Sequence, residues 1–251
     1  MKKKMNKGVY YAILAVLVCV FAFSAYKLGS YWMEKVRSDK LLDDMSSFVD
    51  TDDGTKDDET TKDEEGDPEK IVVDFEAMSE LNDDIIAWIY CPNTQINYPI
   101  VQGSDNDYYL AHLLDGSYNA NGTIFMDYQN HSDFSHANTL IYGHNMKSGA
   151  MFNAVIAYKQ QSFYDEHPYM YIMTPEQNYR LELFAGCVVE SISDIYDFAP
   201  SKDVINACIK NSTFDAAIDY PTHKIVTLST CTYEYDDARY VVLGDLVPID
   251  D

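Results

Sequence analysis

The pattern of apolar and polar positions divides the chain into stretches of different character. Gly8 to Gly29 is almost wholly apolar, and about 20 such residues span a bilayer core as a helix. From Ser30 to Val49 the apolar residues Trp32, Val36, Leu41, Met45 and Phe48 recur at roughly helical spacing among charges, which predicts a juxtamembrane helix over 30–49. After Thr51 no apolar residue occurs up to Glu69, and Asp and Glu dominate. Such a composition buries too little surface to offset chain entropy, so 50–69 reads as a disordered, self-repelling acidic linker. From residue 70 to 251 short apolar runs alternate with polar breaks, the mark of a folded domain.

Within that domain, Asp74 to Leu81 carries Phe75, Met78 and Leu81 on one face and predicts a short helix. Strands follow at Ile85 to Tyr90 and Ile96 to Gln102, joined through Pro92-Asn93. A helical turn is expected over Asp107 to Leu113, and strands at Thr123 to Met126 and Thr139 to Tyr142, with a polar loop at His131 to His136. Met151 to Tyr158 reads as a helix. Tyr169 to Met173 and Tyr179 to Val189 read as strands around a Pro175 to Asn178 turn. Ser201 to Lys210 opens on a capping serine and aligns Val204, Ile205 and Cys208, so a helix is expected there. The β-branched runs Ile225 to Cys231 and Arg239 to Val247 complete the chain. Many short strands with few helices indicate a mainly β domain built as a closed or nearly closed barrel.

Charge and cysteine content narrow the setting. The formal net charge is −23, yet Lys2, Lys3, Lys4, Lys7 and Lys27 stand in a first segment that has no acid. The remainder is therefore more acidic still, which argues against nucleic acid as a partner. Lysines ahead of the span place the N-terminus in the cytoplasm and the acidic bulk outside. A cleavable signal peptide is the competing reading of the same stretch, with Ala22-Phe23-Ser24 as a poor cleavage site. The apolar core is long for a signal peptide, so residues 1–29 read as a basic segment and an uncleaved anchor. Cys19, Cys91, Cys187, Cys208 and Cys231 show no Cys-x-x-Cys spacing, so neither a zinc site nor any cofactor is expected. An extracytoplasmic setting permits disulfides without demanding one.

Candidate chemistry lies at the end of the chain. Thr227-Leu228-Ser229-Thr230-Cys231 and the strand opening on Arg239 are joined by a short polar loop. A hairpin of this kind holds a thiol and a guanidinium at one end of a sheet, and nearby positive charge favours the reactive thiolate. These two residues alone favour the plainer alternative of a buried strand cysteine and a surface arginine. Upstream, however, Asn138 to Tyr142 runs into Gly143-His144, which sets a histidine at a strand end, where catalytic groups are commonly displayed. Ser229 and Thr230 are candidate substrate-facing hydroxyls. His112, His131, His136, His167 and His223 lack that strand-end context.

The composite of Thr-Leu-Ser-Thr-Cys, an arginine after a short loop, and Tyr-Gly-His upstream resembles the sortases, the cysteine transpeptidases of bacterial cell surfaces. More narrowly it is similar to class B. The likeness extends over Asp74-Phe75-Glu76, Ile86 to Ile89, Ile96 to Gly103, Asp105 to Leu110 and Gly122 to Asp127. It implies an eight-stranded barrel with N-terminal helices and a helix before the cysteine strand. It further implies Cys231 as nucleophile, His144 as general acid and base, and Arg239 as the group that orients the peptide and steadies the oxyanion. The implied substrates are surface proteins bearing a sorting motif cleaved at a Thr-Gly-like bond. The implied acceptor is an amine of peptidoglycan or of its lipid-linked precursor. A pilin-polymerising enzyme using a lysine amine, a mainly hydrolytic cysteine peptidase, a non-enzymatic barrel receptor and an L,D-transpeptidase are the alternatives. The last places a His-Gly pair shortly before its cysteine, and none precedes Cys231.

Overall fold

The computed structural model describes residues 7–46, 48–51 and 71–249. The chain divides into two compact units, Met1–Lys40 and Leu41–Asp251. Helix α1 (Lys7–Ser46) runs without a break through both the expected anchor and the expected juxtamembrane helix. No proline interrupts it, and Gly29 alone is too weak a breaker, costing about 1 kcal/mol against alanine. Its apolar stretch is long enough to cross a membrane.

The linker expected over 50–69 lies outside the described residues except at its first two positions. These belong to strand β1 (Val49–Thr51), which pairs antiparallel with β2 (Ile71–Val73), Thr51 opposite Ile71. Met45, 1 % exposed, joins Ile71, Met78, Ile85 and Trp88 in one apolar cluster, with Leu41 and Phe48 packed against it. The second unit thus begins at Leu41, well ahead of the start expected near Ile71. Helical spacing shows that these residues share a face, but not what that face covers. Truncating through Glu69 removes both Met45 and β1, and loss of a buried methionine side chain alone typically costs ~2–5 kcal/mol. A protein starting at Ile71 should therefore melt on the order of 10 °C below one starting at Leu41, as read by circular dichroism.

Helix α2 (Phe75–Leu81) is capped by Asp74, whose carboxylate accepts from the Ala77 amide at 2.9 Å. Strands β3 (Ile85–Tyr90), β4 (Asn97–Val101), β5 (Phe125–Met126) and β6 (Asn138–Tyr142) follow. Helix α3 (Gln161–Glu166), β7 (Tyr169–Met173), β8 (Asn178–Glu190), α4 (Lys202–Lys210), β9 (Ile225–Cys231) and β10 (Ala238–Pro248) complete the unit. Eight strands close into a barrel in the order β10-β8-β7-β3-β4-β5-β6-β9. The pairs β4–β5 and β6–β9 are parallel and the rest antiparallel. The mainly β barrel expected from the sequence is what the chain forms, with α4 preceding the cysteine strand.

The near-continuous apolar run of β3 follows from burial on both faces. Ala87 and Ile89 point into the barrel core, while Trp88 packs on the outer cluster beneath α2 and donates through Nε1 to Asn97 Oδ1 at 2.7 Å. In place of the helix expected over Met151 to Tyr158, a 3₁₀ helix covers Ala154–Lys159. Met151 takes a positive φ of 56° and bridges Asn145, which keeps the first turn out of helical geometry. Helix α3 then begins at Gln161, beyond the stretch over which a helix was expected.

Candidate active site

Strand register brings the three candidate residues together. β9 lies between β6, parallel to it, and β10, antiparallel to it. On one side Arg239 sits directly opposite Cys231. On the other side Tyr142 is level with Ser229, and the same register continued two positions sets His144 level with Cys231. All three line one open cleft of about 320 Å³.

The turn that carries His144 is pinned to β9. The Gly143 amide donates to Ser229 O at 3.1 Å, and Thr230 Oγ1 donates to Gly143 O at 2.7 Å. Asn145 Nδ2 donates to Cys231 O at 2.9 Å, and Asn145 Oδ1 accepts from Asn153 Nδ2 at 2.7 Å. A glycine precedes the histidine because there is no room for a side chain. A Cβ on Gly143 would stand 2.4 Å from Ile124 Cδ1 and 2.7 Å from Phe152 Cγ. His144 Nε2 lies 2.8 Å from Leu110 O. A carbonyl can only accept, so this contact puts a proton on Nε2.

Cys231 is partly exposed, whereas Cys91, Cys187 and Cys208 are buried. Burial pushes the Cys91 thiol above its ordinary value, as desolvation of a would-be thiolate requires. Ser229 and Thr230 lie in the cleft floor, at 3 % and 2 % exposure, with both hydroxyls engaged. Thr230 bonds to Gly143 O, and Ser229 shares a 2.9 Å hydrogen bond with Tyr196 Oη. The Tyr196 phenol is pushed up to about 12, chiefly by burial, so it stays a neutral hydroxyl. Among the described residues, none of the other five histidines lines this cleft.

Several further residues wall the cleft that the sequence did not mark as site residues. Asn106, Leu110, Tyr142 and Tyr196 all face the cleft. Asn106 is set by its Nδ2 bond to Asp127 Oδ2 at 2.8 Å, a carboxylate that also accepts from Tyr142 Oη at 3.0 Å. These residues come from loops and strand ends without periodicity, so only the folded chain groups them.

Beside the cleft the β9–β10 loop is latched. Lys159 Nζ donates to Thr232 Oγ1 at 2.7 Å and pairs with Glu234, which also accepts from Thr232. Hydrogen bonds from Lys159 and Thr232 hold the Glu234 carboxyl down at about 2. A depressed carboxyl pKa means the latch is intact above the ordinary glutamate range and is lost as pH falls through about 2. An NMR titration should show Glu234 with that low midpoint, returning toward the ordinary range in Lys159→Ala.

The sortase domain family model matches residues 89–247, a span that holds the cleft and all three candidate residues. Sortase B of Listeria monocytogenes is 33 % identical over 246 residues, covering 94 % of this chain and 96 % of that protein. The chain belongs to the sortase family, in class B. The crystal structure of sortase B from B. anthracis in complex with AAEK1 superposes with a TM-score of 0.68 at 28 % identity. That match covers 87 % of this chain and all of the other. A crystal structure of a sortase B complexed with triglycine gives a TM-score of 0.65 at 27 % identity, covering 70 % of this chain and 86 % of that one. As a sortase, the chain is a cysteine transpeptidase built on the family's closed eight-stranded barrel.

Proposed function

We propose that this sortase cleaves a C-terminal sorting motif of secreted proteins at a Thr-Gly-like bond and passes the acyl group to a peptidoglycan amine. The observation that carries the reading is the placement of Cys231, His144 and Arg239 on neighbouring strand ends around one cleft. Cys231 Sγ attacks the scissile carbonyl, and the Arg239 guanidinium faces the oxygen that gains charge. His144 gives a proton to the departing amine, leaving a thioester on Cys231. It then takes a proton from the incoming amine as that amine displaces the thiolate. Ser229 and Thr230 act at the cleft floor, where they shape the wall that receives the peptide. The N-terminal helix anchors the enzyme in the cell membrane as a single pass, with the lysines ahead of its apolar stretch inside and the catalytic unit outside.

The complex of a similar sortase B with triglycine supports an amine-bearing acceptor. The test uses the full chain in detergent micelles, with peptides carrying a Thr-Gly bond in varied sorting motifs, with and without triglycine. Mass spectrometry should find the new amide to triglycine as the main product, formed in proportion to the amine supplied. Hydrolysed peptide alone, unchanged by added amine, would overturn the transfer reading.

A further inference from the structure

Two cysteines that the transpeptidation mechanism does not use meet behind the cleft. Cys187 lies on β8 and Cys208 on α4, at 2 % and 6 % exposure, within one apolar cluster. Their sulfurs are 2.9 Å apart, with the Cys187 thiol directed at Cys208 Sγ. This is closer than an ordinary packing contact between non-bonded sulfurs. We propose that Cys187 and Cys208 are a cross-linking site, joined as a disulfide that staples α4 to β8 in the exported domain. The proposal rests on the outward topology given above, because disulfides persist in oxidising compartments.

Three features of the site favour the bond. The thiols sit on different elements 21 positions apart, so the bond closes a loop whose restriction in the unfolded chain favours the fold. The hydrogen bond from Cys187 holds the Cys208 thiol below its ordinary value despite burial, which suits Cys208 as the attacking group. The staple also has something to hold. Ile195, Tyr196 and Val189 belong to the same apolar packing, Tyr196 walls the cleft, and Val189 pairs with Arg239.

The chemistry is thiol–disulfide exchange with an external disulfide, either a low-molecular-weight one or that of a dithiol oxidase, acting while the domain folds. The Cys208 thiolate attacks that disulfide, forming a mixed disulfide and releasing one thiolate. Cys187 then attacks Cys208 Sγ and expels the second thiolate. Two protons leave the cysteines for the released thiolates, and two electrons reduce the external disulfide to two thiols.

The test takes the purified full chain in detergent, alkylates Cys231 first, then unfolds it and lets it refold in an oxidising glutathione buffer. Free thiols are then trapped under denaturing conditions and the peptides mapped without reductant. The expected result is one linked peptide pair containing Cys187 and Cys208, with Cys91 free. Reductant should lower the melting temperature of this protein by roughly 5–10 °C and leave Cys208→Ala unmoved. Both thiols trapped free after oxidation would overturn the pairing. That mapping decides the matter on the unaltered pair even if the variant fails to fold. The same mapping on protein alkylated in intact cells tests the compartment. A link that forms in buffer and is absent in cells would overturn its presence in the exported domain and tell against the proposed topology.

Discussion

Replacing Cys231 with alanine abolishes both peptide cleavage and amine transfer, with no residual activity above the uncatalysed background. Without Sγ no thioester can form, and the described cleft offers no second thiol: the remaining cysteines of the Leu41–Asp251 unit are buried away from it. The fold should survive, because Cys231 is partly exposed and its structural bonds run through its backbone, to Asn145 and to β10. The check pairs a cleavage assay with a thermal melt. A melting temperature within a few degrees of the parent, with activity gone, separates loss of chemistry from loss of structure. A thiol-selective reagent applied briefly to the parent should label Cys231 ahead of Cys91, Cys187 and Cys208. Cleavage persisting in Cys231→Ala would remove this residue from the mechanism.

His144→Ala should lower turnover by ~10²–10⁴-fold, the usual worth of positioned proton transfer. The backbone here is held independently of the imidazole, by the Gly143, Asn145 and Phe152 bonds, so the cysteine strand should stay in place. A specific signature distinguishes a proton donor from a packing residue. With an activated ester whose leaving group needs no proton, the deficit of His144→Ala in the acylation step should shrink by at least about tenfold. An equal deficit on both substrates would mean that His144 acts by holding the Leu110 turn through its 2.8 Å bond and not by transferring a proton.

Much of the barrel was legible because its signals are local. Ser201 caps the helix it precedes, and the runs at Ile85 to Tyr90 and Tyr169 to Met173 form strands with the bounds their apolar residues mark. The cysteine–loop–arginine hairpin was legible for the same reason. A short loop between two β-branched runs leaves antiparallel pairing as the natural outcome, and Arg239 falls opposite Cys231.

The failures share a cause as well. Met151 breaks its expected helix through a backbone angle that nothing in its side chain announces. The segment Leu41 to Thr51 joins the catalytic unit through burial of Met45 and the β1–β2 pairing, while its spacing showed only an apolar helical face.

By itself, then, the amino-acid sequence determined the apolar span, the strands and caps, and the hairpin that opposes thiol and guanidinium, since each depends on residues close along the chain. Tertiary structure decided that β6 runs parallel to β9, which carries His144 to Cys231 across a separation of 87 positions at the Thr230–Gly143 bond. It also decided that Asn106, Leu110 and Tyr196 wall the same cleft and that Cys187 meets Cys208. Periodicity reports that a face is apolar. Which other face covers it is chosen only when distant segments compete to bury their surfaces together.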